Sequence, residues 1–241
     1  KNHFAMDYLG ASGVRITATP KGADAEVRVE SRTTGGEVTV TLFDAGGVCV
    51  GSGKGNDTTI LLKDAHRWHG VEDPYLYSCR AAVSTGEKTE DELTISFGVR
   101  EFKVDSKNGF ILNGKPFPLH GVSRHQDRKG LGNAITKEMH DEDMALIAEM
   151  GCNTVRLAHY QHDQYFYDLC DRYGMVVWAE IPYISEHMPN GRENTISQMK
   201  ELIEQNYNHP CIVCWGVSNE ITISTKDKKD MLDNHHVLND L

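Results

Sequence analysis

Along the first hundred residues the apolar positions come in short alternating or β-branched runs, at 14–19, 26–30, 37–43, 58–62, 75–83 and 88–97. Gly-rich and polar turns separate them, notably Thr34-Gly35-Gly36 and Ala45-Gly46-Gly47. Alternation puts every second side chain on one face of a strand, so strands at this spacing predict an antiparallel sandwich of ~100 residues. No stretch with helical spacing interrupts it.

After Lys107-Asn108-Gly109 the period changes, and apolar strands alternate with amphipathic helices, the pattern of repeated βα units. The strands are expected at 117–121, 154–157, 175–179 and 212–217. Thr136 is placed to cap a first helix with Met139, Leu146, Ile147 and Met150 on one face, stopped by Gly151. Asp163 caps a second, with Phe166, Leu169, Cys170 and Tyr173 inward and Gly174 behind it. Asn194 opens a third, presenting Ile196, Met199, Leu202, Ile203 and Tyr207, which must end before Pro210; a fourth starts near Lys228. The chain therefore divides into a sandwich over 1–104 and an α/β part over 105–241, with the boundary near 100–106. A (β/α)8 barrel needs ~250 residues, so the second part is either a four-stranded open sheet or half a barrel. Half a barrel would expose an unpaired strand edge and uncovered apolar surface, so a free fragment should associate or be poorly stable, and a homo-oligomer is expected.

Composition narrows the function classes. With 39% hydrophobic and 25% charged residues, the 241-residue chain can bury ordinary cores. Its formal charge of -10 argues against nucleic acid, whose phosphates want a basic face. No apolar run approaches the ~20 residues that span a bilayer, and residues 1–10 lack a signal peptide's apolar centre, so no membrane partner is expected. Because the chain reads as starting in mid-sequence, the compartment rests mainly on its thiols. Six cysteines without a tight framework fit reduced thiols and a cytoplasmic protein. Cys49 and Cys79 are read as two buried thiols rather than an inter-sheet bridge, and Cys211-Ile-Val-Cys214 as the interior of a strand rather than a metal or redox pair.

Each of the four α/β strands ends in polar groups: Arg124 and His125, then Arg156 and His159, then Glu180, then Asn219 and Glu220. In a parallel barrel the C-terminal strand ends converge on the rim that holds the active site. Glycoside cleavage needs one carboxyl held protonated beside the leaving oxygen and a second carboxylate at the anomeric carbon. Glu220 suits the first role, because the apolar run 212–217 before it should desolvate it and raise its pKa. Asn219 offers a donor and an acceptor to a sugar hydroxyl. Trp178 and Trp215 read equally well as stacking surfaces for a sugar ring or as core.

These residues match a known pattern. Phe97-Gly98-Val99-Arg100, Asn113-Gly114-Lys115-Pro116 and His120-Gly121-Val122-Ser123-Arg124-His125 resemble the start of the barrel in glycoside hydrolase family 2, of the β-galactosidase type. Asn153-Thr154-Val155-Arg156 with His159-Tyr160, and 169–174, are similar to its second βα unit. Asn208-His209-Pro210 followed by Trp215-Gly216-Val217-Ser218-Asn219-Glu220 resembles its acid/base segment, and Glu72-Asp73-Pro74-Tyr75-Leu76-Tyr77 a motif of its immunoglobulin-like domain. The resemblance runs from about residue 60 to 224.

The resemblance implies a retaining hydrolase of oligosaccharides or β-glycosides, first of all β-galactosides, with β-glucuronides and β-mannosides as alternatives. It makes Glu220 the acid/base and puts Asn219, Arg156, His159, His125, Glu180 and Trp178 at the substrate. The family's nucleophile is a glutamate near the seventh strand, which a chain ending at Leu241 does not reach, so the chain alone should show little turnover. No residue is assigned to a metal. A Mg or Na ion in the full-length enzyme is implied only by analogy, since residues 180–187 depart from the galactosidase pattern; Glu186 and His187 are read as solvated loop in preference to ligands. The competing class is a carbohydrate-binding or scaffolding module without a nucleophile.

Overall fold

The computed structural model describes residues 2–6 and 10–241. Of the 1–10 stretch, read above for a signal, residues 1 and 7–9 lie outside the described residues. The chain forms two compact units. The first comprises Lys1–Pro118, Asp171–Gly174 and Tyr207–Pro210; the second comprises Leu119–Cys170, Met175–Asn206 and Cys211–Leu241.

In the first unit the strands are β1 (Val14–Lys21), β2 (Asp24–Ser31), β3 (Glu37–Phe43), β4 (Cys49–Lys54), β5 (Asp57–Leu62), the short β6 (Trp68–His69) and β7 (Asp73–Pro74), β8 (Tyr77–Thr85) and β9 (Lys88–Phe97). One antiparallel sheet has the order β1-β2-β5, the other β4-β3-β8-β9. Alternation gives each a buried face: Val27, Val29 and Ile60 from one sheet and Val38, Val40, Leu42, Ala81 and Val83 from the other enter a single core cluster. This is the expected immunoglobulin-like sandwich.

Two sequence expectations fail here for identifiable reasons. β4 reads as turn because it contains Gly51 and Gly53, yet both glycines exist for close approach. A Cβ at Gly51 would lie 2.5 Å from Ile60 Cγ2, and one at Gly53 2.5 Å from Thr58 Oγ1. Cys49 is exposed, not buried, and it flanks β3 in the same sheet as Cys79, through the pairs Phe43↔Cys49 and Leu42↔Cys79. An inter-sheet bridge between them therefore has no geometry. All six cysteines are free thiols.

A small antiparallel sheet, β10 (Phe102–Asp105), β11 (Gly109–Leu112) and β12 (Lys115–Pro116), follows the sandwich in the first unit. It displaces the first barrel strand from the expected 117–121 to β13, Gly121–Arg124. The apolar side chain that suggested the earlier start, Phe117, is buried beside His69 and Phe110 instead. Segments distant in sequence complete this unit. The Trp68 indole N–H donates to the Asp171 carbonyl at 2.9 Å, and Asn208 accepts from Ile16 N at 2.8 Å while donating to Val14 O at 2.9 Å.

The second unit holds β13, β14 (Thr154–Leu157), β15 (Val176–Glu180) and β16 (Ile212–Gly216), all parallel and hydrogen-bonded in the order β13-β14-β15-β16. Helices α1 (Lys137–Glu149), α2 (Gln164–Tyr173), α3 (Arg192–Asn206) and α4 (Lys228–Asn239) follow them in turn. Doubly wound sheets reverse strand order at a switch point, whereas barrels add strands in sequence. The strictly sequential order makes this a partial (β/α)8 barrel and removes the open-sheet alternative, so the fold is multidomain, β followed by α/β.

The helix faces differ in detail from the periodicity. α1 buries His140, Met144 and Ile147, leaving Leu146 and Met150 exposed. Tyr173 is likewise exposed on α2, and α3 starts two residues before Asn194. The α1 stripe turns because His140 joins a polar cluster around Arg124. This buried guanidinium donates to Asp143 Oδ2 at 2.7 Å, to His140 Nδ1 at 3.1 Å and to His162 Nδ1 at 3.0 Å, and lies 3.9 Å over the Phe166 ring. Arg124 is thus consumed within the unit and is not a sugar contact at a strand end.

The two histidines accept from Arg124 only when Nδ1 carries no proton. Burial is the main cause that pushes His162 from 6.5 down to about 3 and lowers His140, with the Arg124 charge contributing to both. The unfolded chain binds these protons near pH 6.5, so stability is present above that pH and declines as pH falls toward 3. Acidifying from pH 7.5 to 5 is expected to cost the second unit about 2 kcal/mol through His162 alone. Urea midpoints at the two pH values, compared with those of His162→Gln, check this; identical slopes for the two proteins would rule out the histidine.

Candidate active site

Side-chain period sorts the parallel sheet into two faces. Val155, Leu157, Val177 and Ala179 are fully buried on one. Ser123, Arg156, Trp178 and Cys214 stand in register on the other, followed by Glu180 opposite Gly216. Trp215 pairs with Ala179 on the buried face, while Trp178 is 45% exposed on the polar one, 5.4 Å from the Arg156 guanidinium centre. The two tryptophans that the sequence left equivalent are therefore separated by register. A Cβ at Gly216 would sit 2.4 Å from Trp178 Nε1 and 2.7 Å from Glu180 Cγ, so bare backbone in β16 makes room for the indole and the carboxylate.

Arg156 joins the strand ends. Its Nε donates to Glu180 Oε1, and its Nη2 donates to Asn219 Oδ1 at 2.7 Å. Glu180 is 1% exposed, and its second oxygen lies 2.9 Å from His159 Nδ1. His159 Nδ1 is also 3.1 Å from Arg156 Nη2. A nitrogen between an arginine donor and a carboxylate does better as N–H toward the anion. The exposed His125 packs edge-on against His159 at 5.1 Å between ring centroids. Arg156, His159, Glu180 and Asn219 thus form one contact network, with His125 and Trp178 at its margin.

Glu220 lies beyond the end of β16 in a different setting from the one its sequence suggested. It is exposed, not desolvated, because the chain leaves the strand after Gly216 and turns at Glu220 with φ of +55°. Its carboxylate has no hydrogen-bond partner among the described residues, so it is free for chemistry while its neighbours are held. Asn219 bridges to the 183–185 segment, donating from N to Tyr183 O at 2.9 Å and accepting at O from Ser185 N at 3.0 Å.

That segment also overturns the loop reading of His187. His187 is buried, with Nδ1 at the Tyr183 hydroxyl and Nε2 2.6 Å from Asp230 Oδ2. The bond to His187 is the main cause that lowers the Asp230 carboxyl, with the Arg192 charge assisting. Both ring nitrogens are spent, and Glu186 is exposed, so this pair does not fit the Mg or Na ion allowed by analogy. Asp230 lies 43 residues from His187, and only the Tyr183/His187 spacing of four hints at the arrangement in the sequence.

An antiparallel sandwich followed by sequential parallel βα units with a polar cluster at their strand ends is a sandwich-plus-barrel protein. The chain belongs to glycosyl hydrolases family 2: residues 12–100 match the model described as "Glycosyl hydrolases family 2" and residues 102–240 that of its TIM barrel domain. A β-glucuronidase of Bacteroides fragilis is 44% identical over 174 residues, covering 67% of this chain and 25% of that protein. Among solved structures, an FMN-binding β-glucuronidase from Facaelibacterium prausnitzii L2-6 is 40% identical with a TM-score of 0.95, over 99% of this chain and 39% of its own. A putative β-galactosidase from Bacteroides fragilis is 34% identical with a TM-score of 0.93, over 99% and 38%. The chain spans about a quarter of the curated relative's length and under two fifths of either solved chain.

Proposed function

We propose that the protein carrying this chain is a retaining β-glycosidase that removes terminal β-glucuronides, with Glu220 as its acid/base. The single observation that carries the chemistry is the unpartnered Glu220 carboxylate beside the held Asn219–Arg156–Glu180 network. Glu220 first gives its proton to the departing oxygen and then, as carboxylate, takes one from water. Asn219 Nδ2, His159 Nε2 and His125 are assigned to sugar hydroxyls, and Trp178 to the sugar face. Glu180 acts through Arg156 and His159 instead of touching sugar: with both oxygens committed it is a poor nucleophile, so the second carboxylate is assigned outside these four strands. The domains are proposed as sandwich 1–104 and catalytic barrel from 105.

The glucuronide assignment draws on the relatives of 44% and 40% identity, both β-glucuronidases by name. It displaces the galactoside expected from sequence, which the third relative keeps as a second reading. Six free thiols favour a reducing, cytoplasmic compartment. No described helix is long and apolar enough to cross a membrane.

Nitrophenyl β-glucuronide, β-galactoside and β-mannoside offered to the full-length protein test the proposal. The expected kcat/KM for the glucuronide exceeds the others by about 10²-fold or more, the margin that a site pairing with a substrate's polar group can give. A galactoside preference would reverse the specificity, and binding without hydrolysis of any would favour the carbohydrate-binding module.

A further inference from the structure

Glu220 occupies a conformation that a non-glycine residue holds only at a cost, with φ of +55°. Such positions persist when surrounding bonds over-determine them. The bonds that do so here converge from both sides of Glu220 on one buried histidine. On the N-terminal side, Asn219 exchanges backbone hydrogen bonds with Tyr183 and Ser185, and the Tyr183 hydroxyl meets His187 Nδ1. On the C-terminal side, the Thr225 hydroxyl donates to the Ile221 carbonyl and accepts from His187 N at 2.8 Å. His187 Nε2 is anchored on Asp230 in the first turn of α4, and Asp230 is in turn 3.3 Å from Arg192 Nη1 on α3.

We propose that His187 is a positioning residue for Glu220: through Tyr183 on one side and Thr225 on the other it fixes the turn that presents the Glu220 carboxylate. The tautomer follows from the partners. Asp230 offers only acceptors, so Nε2 carries the proton and Nδ1 accepts from the Tyr183 O–H. The ring then ties the strand-end segment at 183–185 to α4 without touching substrate, and Asp230 fixes its orientation as a carboxylate does behind a working histidine. This inference rests on the acid/base reading of Glu220, and the test separates the two.

A misplaced general acid matters most when the leaving group needs a proton. In the full-length protein, His187→Ala is expected to lower kcat/KM for methyl β-glucuronide by about tenfold or more. For the dinitrophenyl glycoside, which departs unaided, kcat/KM, which reports the first step alone, should fall about twofold or less. His187→Gln, whose amide can donate toward Asp230 and accept from Tyr183, should recover much of the loss. Thr225→Val keeps the side-chain shape without the hydroxyl and should show the same leaving-group dependence in milder form, which keeps the test open if His187→Ala does not fold. Equal losses on both substrates in the variants that fold, or no loss, would overturn the positioning role while Glu220→Gln still discriminates between leaving groups. If Glu220→Gln itself fails to discriminate, the acid/base reading falls, and the inference with it.

Discussion

If the proposed function holds, Glu220→Gln in the full-length protein is expected to cut kcat/KM for alkyl β-glucuronides by about 10²- to 10⁴-fold, the usual worth of a general acid. The side chain keeps its volume and loses only the transferable proton, and its exposure and lack of partners leave little else to disturb. Activated aryl glycosides should lose far less in the first step. Their second step lacks the base, so a glycosyl-enzyme should accumulate, visible as a burst of phenol release. Added azide, which needs no deprotonation, should restore turnover on the aryl substrate. A uniform loss without a burst would remove Glu220 from proton transfer.

Arg156→Ala is expected to damage stability and activity together. Glu180 is 1% exposed and would keep only His159 as partner, while Asn219 Oδ1 would lose its donor. Breaking a buried ion pair on one side costs roughly 3 kcal/mol, at the low end here because Arg156 retains solvent contact. Arg156→Lys separates charge from geometry: one ammonium can satisfy Glu180 but does not present the planar fork that reaches Glu180 and Asn219 together. Urea denaturation should show most of the stability restored by lysine and kcat still depressed. Full recovery of both by lysine would mean that only charge matters at this position.

Alternation made most of the sandwich legible: β3 and β9 have the bounds read from sequence, and in β3 buried residues alternate with exposed or half-buried ones along its whole length. β4 was hidden because glycines that serve close packing are the same letters that signal turns. At the site, the gathering of Arg156, His159, Glu180 and Asn219 followed from strand ends alone, since parallel strands deliver their last residues to one rim. What sequence did not contain was the state of each group. Arg124 reads like Arg156 in the chain, yet one is sealed among His140, Asp143 and His162 and the other faces Trp178. Burial of a side chain depends on partners far away in sequence, as the 43 residues between His187 and Asp230 illustrate.

The discontinuity of the first unit sets a timetable for biosynthesis. Ile16 N waits for Asn208, 192 residues later, and the Trp68 indole waits for Asp171. At ribosomal speeds of about 5–20 residues per second, the edge of the sandwich at β1 stays without its last partners for about 10–40 s after it is made. Through that interval the nascent sandwich is a candidate client for chaperones, and it is finished only as β16, the strand that leads to Glu220, leaves the ribosome.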